Sequence, residues 1–465
     1  MLFSSIPFLY YFIPCVMLLY FISPKKLKNA ALLVSSLVFY GWGEPKFLFL
    51  ISFCIVFAWF CGLMCDKAKT KAAKLTWLII PVVVLLGFLA YFKYANFFIE
   101  NFAALTGLSI PTLKIVMPIG ISFYTFQTLS YNIDLYRGNV PVQKNLVDFA
   151  TYVVLFPQLI AGPIVRYSDV VSELDVRQST LDGISDGIRR FVIGLSKKVL
   201  IANALGELCD IYRASNEKTL LFSWMYAIAF SLHIYFDFSG YSCMAIGLGK
   251  IFGFNFPENF NYPYISKSVT EFWRRWHMTL GTWFRDYVYI PLGGNRVSKS
   301  RHVFNIFVVW MLTGFWHGAA WNFIFWGLLF AILLVVEKFG LLKILGKFKV
   351  LNHVYVLFFV VLSFVLFNAT DTQGAIQDIG RLFGIGVATS GSSALYYLKS
   401  YALIFIIAII GATPIPKTIV NKIKQTVVGN RVINLLEPVV TAVLLLVITA
   451  FLVDGSFNPF LYFRF

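Results

Sequence analysis

The chain has 465 residues, 59% of them apolar and 13% charged, against about 25% charged in ordinary soluble domains. This composition excludes a water-soluble globular class and points to a polytopic membrane protein. Its net charge of +17 does not read as a nucleic-acid footprint, because the basic residues are scattered through short loops between apolar runs, where they set membrane orientation.

Apolar runs recur along the whole chain, and spans of about 20 residues suit a bilayer, so about ten to twelve membrane elements are expected. The runs are continuous and lack the alternating pattern of a membrane barrel, which leaves an all-α polytopic fold. The first, Leu2 to Ile22, lacks a basic leader and a small-residue cleavage site and reads as a retained span. Pro24, Lys25, Lys26 and Lys28 follow it. Ala30 to Trp42, short for a crossing, is joined by the turn GWGEPK to Phe47 to Met64, and Lys67, Lys69, Lys71 and Lys74 precede Leu75 to Phe98. Both basic loops are expected in the cytoplasm, which puts the N-terminus outside. Near the other end Lys417, Lys422, Lys424 and Arg431 form another basic loop before the last run, Ile433 to Val453, so the C-terminus is expected outside as well.

The middle of the chain is more polar. Val116 to Tyr136 contains MPIGISFYTFQTLSYNIDLY, and Tyr152 to Ile164 contains FPQLIAGPI; both are broken by Pro and Gly. Such backbone is tolerated at membrane depth only where protein or water surrounds it. Leu181 to Leu205 carries Arg189, Arg190, Lys197 and Lys198 and reads as a basic stripe on an interfacial helix. Phe222 to Phe252 places His233 and Asp237 at i and i+4, one face of a helix, where a satisfied packing pair is the plainer reading. From Phe256 to Arg296, Trp273, Trp276, Trp283, Tyr287 and Tyr289 interleave with Glu271, Arg274, Arg275, His277, Arg285 and Asp286. Short helices at headgroup level suit the aromatic and basic residues, but an aromatic belt does not need so many ionisable groups. Val303 to Val336, Val354 to Phe367 and Tyr401 to Ile410 precede the final run. With no repeat of 20 to 50 residues and no low-complexity linker, one membrane domain over residues 1–465 is the economical reading.

His317 sits inside LTGFWHGAAWNFIFW, a stretch apolar enough for a bilayer interior. An ionisable side chain at that depth is costly and therefore a functional candidate. An imidazole with the ordinary pKa of about 6.5 is largely neutral at pH 7 and can take a proton, a role worth about 10²- to 10⁴-fold in rate. Gly314, Gly318, Ala319 and Ala320 leave room beside it for a substrate chain or for close helix packing. By residue type alone, catalysis, packing and a proton or ion pathway all stay open. Cys15, Cys54, Cys61, Cys65, Cys209 and Cys243 lie in or beside apolar runs without metal-ligand spacing, so neither disulfides nor zinc are expected. The five histidines are too dispersed to specify a metal. Nothing matches a GxSxG elbow, a P-loop or HExxH. Transport stays open, because broken helices and intramembrane charges also mark transporters.

Several long motifs then occur in order: MPIGISFYTFQTLSY (Met117 to Tyr131), FPQLIAGPI (Phe156 to Ile164), YFDFSGYS (Tyr235 to Ser242), FWRRWHMTLGTWFRDYVYIPLGGNR (Phe272 to Arg296), LTGFWHGAAWNFIFWG (Leu312 to Gly327) and FNPFLYFRF at the end. On these the chain resembles the membrane-bound O-acyltransferase (MBOAT) superfamily, nearest its AlgI- and PatA-like branch, with DltB-like D-alanyl transferases more distant. One departure is Cys243, where family members often carry Asp. The resemblance implies a ring of transmembrane helices around a thinned centre, with re-entrant or interfacial helices and a tunnel through the membrane. It implies His317 as the catalytic histidine, His277 as a second polar position at the cytoplasmic entrance, and Tyr462, in an extracytoplasmic tail of residues 457–465, as an acyl relay. The plainer alternative is that Tyr462 and Phe463 are interfacial anchors ending the last span.

The substrate-binding residues expected on the same basis are Trp276, Arg274, Arg275, Arg285, Trp316, Asn322 and Gln127; the arginines would hold phosphates or else lipid headgroups. The implied activity is acetyl transfer from cytoplasmic acetyl-CoA, a substrate and not a resident cofactor, for O-acetylation of an extracellular polysaccharide through an extracytoplasmic SGNH-type transferase. The location implied is the bacterial inner membrane. D-alanyl or other acyl transfer from a carrier-protein thioester, and a non-enzymatic transporter or scaffold, are the alternatives. No metal and no nucleic acid is expected.

Overall fold

In the computed structural model, which describes residues 2–455 and 460–461, the described residues form helices and connecting loops with no strand among them. They group into two units: residues 1–191 with 244–257, and residues 192–243 with 258 to the C-terminal end. Among the described residues, five helices are long and apolar enough to cross a membrane: Pro45–Lys67, Lys71–Thr106, Leu220–Ile251, Ser392–Gly411 and Val427–Asp454. Phe8–Ile22 and Leu351–Phe367 are apolar but shorter. The ten to twelve membrane elements expected from the sequence include stretches too short for a full crossing, which these five leave out.

In the first unit, Thr70 caps the helix that begins at Lys71 by accepting from the Ala73 amide at 3.2 Å, the usual remedy for an orphan N-terminal N–H. Pro118 and Gly120 break the chain ahead of the helix Ile121–Arg137, not within it. Gly120 has φ +77°, and a Cβ there would lie 2.7 Å from the Leu159 carbonyl oxygen, so both its backbone angle and its neighbour require glycine. The helix that follows is uninterrupted and buried in protein over most of its length, polar residues included.

The second unit departs from the sequence reading at three places. Lys198 does not belong to a lipid-facing stripe. It lies in the π turn Lys197–Ala202, fully buried, with Nζ 2.6 Å from Asp237 Oδ1. π turns leave the regular ladder and re-aim side chains inward. His233 does not pair with Asp237 either: its Nδ1 donates to the Ala202 carbonyl at 2.6 Å, where a Cβ on residue 206 in place of Gly206 would lie 2.9 Å from the ring.

The run Val303 to Val336 is not one span. It is a hairpin of Lys299–His317 and Trp321–Val336, so His317 ends a helix at a turn. The two helices touch backbone to backbone: a Cβ on Gly314 would lie 2.2 Å from the Phe323 carbonyl oxygen, and one on Gly327 2.2 Å from that of Trp310. Small residues permit this approach in membrane bundles. Asn322, just past the turn, donates to the carbonyls of Phe367 at 3.3 Å and Ala369 at 3.1 Å. The turn that carries His317 is thereby tied to the end of Leu351–Phe367.

Candidate active site

His317 is 7% exposed and borders a chamber of about 20 Å³ lined by Ile234, Asp237, Phe238, Trp276, Trp326, Phe364, Phe367 and Leu461. That volume admits about one water. Trp316, Trp326 and Phe367 meet the imidazole nearly edge-on, with centroids 5.1, 5.2 and 5.3 Å away. Edge contacts of this kind fix a ring's orientation at little cost.

A larger vestibule, about 840 Å³, is lined by Trp276, His277, Arg274, Arg285 and Lys338 among others. Its size falls within the range of small-molecule sites. The helix ending at His317 contributes His302, Ile306, Val309, Trp310 and Thr313 to its wall. Those positions recur at i+3 and i+4, and the next step along that face is His317 itself. Trp276 is common to the walls of both spaces.

His277 has a left-handed backbone, φ 43° and ψ 52°, unusual for a residue with a Cβ and most often retained at functional sites. It is 2% exposed. Its Nδ1 lies 3.0 Å from Asn259 Oδ1, which also accepts from the Thr279 hydroxyl at 2.9 Å and the Thr279 amide at 3.4 Å. A backbone amide can only donate, so the oxygen of Asn259 faces this cluster and His277 Nδ1 carries the proton. Asn259 Nδ2 in turn donates to Ser242 Oγ at 3.1 Å. Nε2 is left as the acceptor, with no hydrogen-bond partner among the described residues, on a side chain that lines the vestibule. Burial pushes the imidazole down to about 3, so it is neutral at physiological pH.

The helix Val269–Arg275, which precedes His277, is anchored at its start. Buried Glu337 accepts from the amides of Val269 at 2.5 Å and Thr270 at 2.8 Å and from the Thr270 hydroxyl at 2.6 Å. A carboxylate on orphan helix N–H groups is well placed electrostatically.

The other residues expected at the site separate into groups. Arg274 is exposed and lines the vestibule. Arg285 lines it too, while binding Asp286 through Nε at 2.6 Å and Nη2 at 3.0 Å. Arg275 instead pairs with Glu271 at 2.9 Å and donates to the Asn261 carbonyl. Trp316 lies between the histidines, 6.2 Å from His277 by ring centroid and 5.1 Å from His317. Asn322 braces the turn. Gln127 belongs to the first unit, fully buried on Ile121–Arg137, where its carbonyl accepts from the Tyr152 hydroxyl at 3.2 Å. Tyr462 and most of the tail lie outside the described residues. Sequence reasoning missed Asn259, which sets the His277 tautomer, and Leu461, whose amide donates to Asp237 Oδ2 at 2.8 Å. Asn259 carries no spacing signal; Leu461 lay within the recognised tail motif.

Residues 140–371 match the model of the MBOAT, membrane-bound O-acyltransferase family. The probable alginate O-acetylase AlgI of Azotobacter vinelandii is 39% identical over the full length of both chains. A peptidoglycan O-acetyltransferase of Helicobacter pylori is 35% identical over 83% of this chain and 80% of its own. A teichoic acid D-alanyltransferase of Bacillus subtilis is 33% identical over 49% of this chain and 61% of its own.

Proposed function

Because the chain belongs to the membrane-bound O-acyltransferase family and is a multi-pass membrane acyltransferase, we propose that it takes the acetyl group of cytoplasmic acetyl-CoA and passes it to a hydroxyl acceptor on the far side of the membrane. The observation that carries this reading is the sharing of Trp276 between a cation-rimmed vestibule and the small aromatic chamber of His317. Arg274 and Lys338 supply positive charge for the phosphates of the donor, with Arg285 beside them held by Asp286. His277 Nε2 accepts a hydrogen bond from the donor's amide-bearing arm. The thioester then reaches the chamber past Trp276.

Once the chamber widens to admit the acetyl thioester, His317 takes the proton of the acceptor hydroxyl while the hydroxyl oxygen attacks the thioester carbonyl. The C–S bond breaks, the thiolate leaves, and the proton held by His317 passes to it, giving an ester and free CoA. The acceptor we favour is Tyr462. It directly follows Leu461, a residue of the chamber wall. An acetyl ester of its phenol is an activated acyl donor, because the phenolate is a good leaving group, and an extracytoplasmic SGNH-type transferase would move the acetyl group onto a polysaccharide and return the free tyrosine. The relatives' names point to such glycans without choosing one.

The donor is tested with the full-length protein in bilayer nanodiscs, by following release of free CoA from acetyl-CoA beside release of carrier from an acyl-carrier-protein thioester. Turnover with acetyl-CoA alone is expected; turnover with the carrier thioester alone contradicts the donor assignment. His277→Phe is expected to lower the rate about tenfold, the worth of about one hydrogen bond. That factor should be the same at pH 6 and pH 8. The lowered value of about 3 for His277 keeps its accepting form present above that pH and lost only as the pH falls through it. A factor that changed between those pH values would show instead that His277 titrates in turnover.

A further inference from the structure

We propose that the buried Lys198–Asp237 pair is a clamp that seats the C-terminal segment against the His317 chamber, making these two side chains positioning residues for acyl transfer. The proposal rests on the reading of that chamber as the transfer site.

The helix Leu220–Ile251 carries Asp237 into the interior, where its side chain is 2% exposed and that of Lys198 is 0% exposed. Two ions so deeply buried are stable only if their remaining valences are also met. Here the chain terminus helps to meet them. Asp237 Oδ1 takes Lys198 Nζ at 2.6 Å, and Oδ2 accepts the Leu461 backbone N–H at 2.8 Å. Lys198 Nζ lies 4.7 Å above the Phe460 ring, a favourable place for a desolvated cation, and Tyr241 meets the same ring edge-on at 4.9 Å. Phe460 and Leu461 are themselves buried, at 1% and 5% exposure. A tail that merely ended at the membrane surface would need neither charge.

The surrounding residues are disposed to aim this clamp. The π turn Lys197–Ala202 turns Lys198 inward, His233 takes the carbonyl of Ala202, and Gly240 lets the long helix approach, since a Cβ there would lie 2.8 Å from the Gly194 carbonyl oxygen. Asp237 and Leu461 both line the chamber with His317. The carboxylate therefore borders the transfer site while its two oxygens are engaged by Lys198 and the Leu461 amide. Holding the acceptor-bearing segment in place is the kind of contribution that converts an encounter into a unimolecular step.

The test uses the full-length protein in nanodiscs. In the wild type, hydrogen exchange at the Leu461 amide is expected to be slowed at least a hundredfold relative to a free peptide of the same sequence. This measurement needs no variant. Asp237→Asn, and the double variant Lys198→Met with Asp237→Met, which leaves no unpaired charge, are each combined with Leu461→Cys. In both, mass-mapped labelling of position 461 by an aqueous maleimide should rise at least tenfold. For the same clamp substitutions in the Leu461 background, kcat for acetyl transfer should fall at least tenfold with the donor KM changed less than twofold. Lys198→Arg, which keeps a cation, should retain protection and rate.

Rapid exchange at Leu461 in the wild type, or equal labelling of position 461 with and without the clamp charges, overturns the proposal. So does a KM rise in step with the loss of kcat, which marks a general structural role. Protection at Leu461 in a wild-type protein that transfers no acetyl group would defeat the functional reading and leave the clamp standing.

Discussion

His317→Ala is expected to lower acetyl transfer by about 10²- to 10⁴-fold, the contribution of a positioned general base, while the protein accumulates at close to wild-type amounts. The imidazole borders a chamber of about 20 Å³ and is held by aromatic edges from Trp316, Trp326 and Phe367. Losing it enlarges a small space without unpairing a buried charge. The turn beneath it stays tied through Asn322 to the carbonyls of Phe367 and Ala369. His317→Gln, which keeps hydrogen-bonding capacity but cannot cycle a proton near neutral pH, should be nearly as inactive. Labelled acetyl-CoA and a thermal melt on the same nanodisc preparation separate the two effects. Activity within threefold of wild type in either variant would remove the base from the mechanism.

A second large effect is expected at a position with no chemistry. Gly314→Ala and Gly327→Ala each place a Cβ 2.2 Å from a backbone carbonyl oxygen of the facing helix. Backbone cannot rotate aside as a flexible side chain can, so the hairpin must open. Overpacking in a tight core costs about 1–3 kcal/mol. The displacement falls one turn from His317, so transfer should drop at least tenfold even in the fraction that remains folded. Gly87→Ala is the control. Nothing lies within 4 Å of a Cβ at that helical position, and alanine is favoured over glycine there by up to about 1 kcal/mol. Melting temperatures and single-turnover rates should therefore diverge between glycines that a sequence does not distinguish. A Gly314→Ala protein with normal melting and normal turnover would contradict the close-packed hairpin.

Those glycines also show where sequence reasoning stopped. The helical membrane class follows from apolar runs alone, and the family from the order of long motifs. Periodicity does not reveal a turn inside an apolar run: Val303 to Val336 reads as one span, and the hairpin is set by Gly314 and Gly327 meeting across it. Charge is read as exposed by default, so Lys198 joined a surface stripe; its partner Asp237 is 39 residues away (237 − 198), beyond any local rule. His233 and Asp237 stand at i and i+4, a spacing that suits a pair, but His233 takes the Ala202 carbonyl instead. Asn259 decides which nitrogen of His277 accepts, yet nothing in NFNYP marks it. By contrast, the arginines read as candidate phosphate ligands divide by local partner. Arg275 is engaged by Glu271, four residues earlier, and Arg285 by Asp286, the next residue, whereas Arg274 stands exposed at the vestibule.

The acetyl group is expected to pass through the chamber onto the chain's own C-terminal segment. The most direct measurement gives full-length protein in nanodiscs one equivalent of acetyl-CoA labelled in the acetyl group, quenches within a single turnover, and maps the labelled residue by peptide mass spectrometry. Label is expected on Tyr462, and on neither the His317→Ala nor the Tyr462→Phe protein. Turnover that proceeds with the label elsewhere, or with Tyr462→Phe fully active, would contradict it.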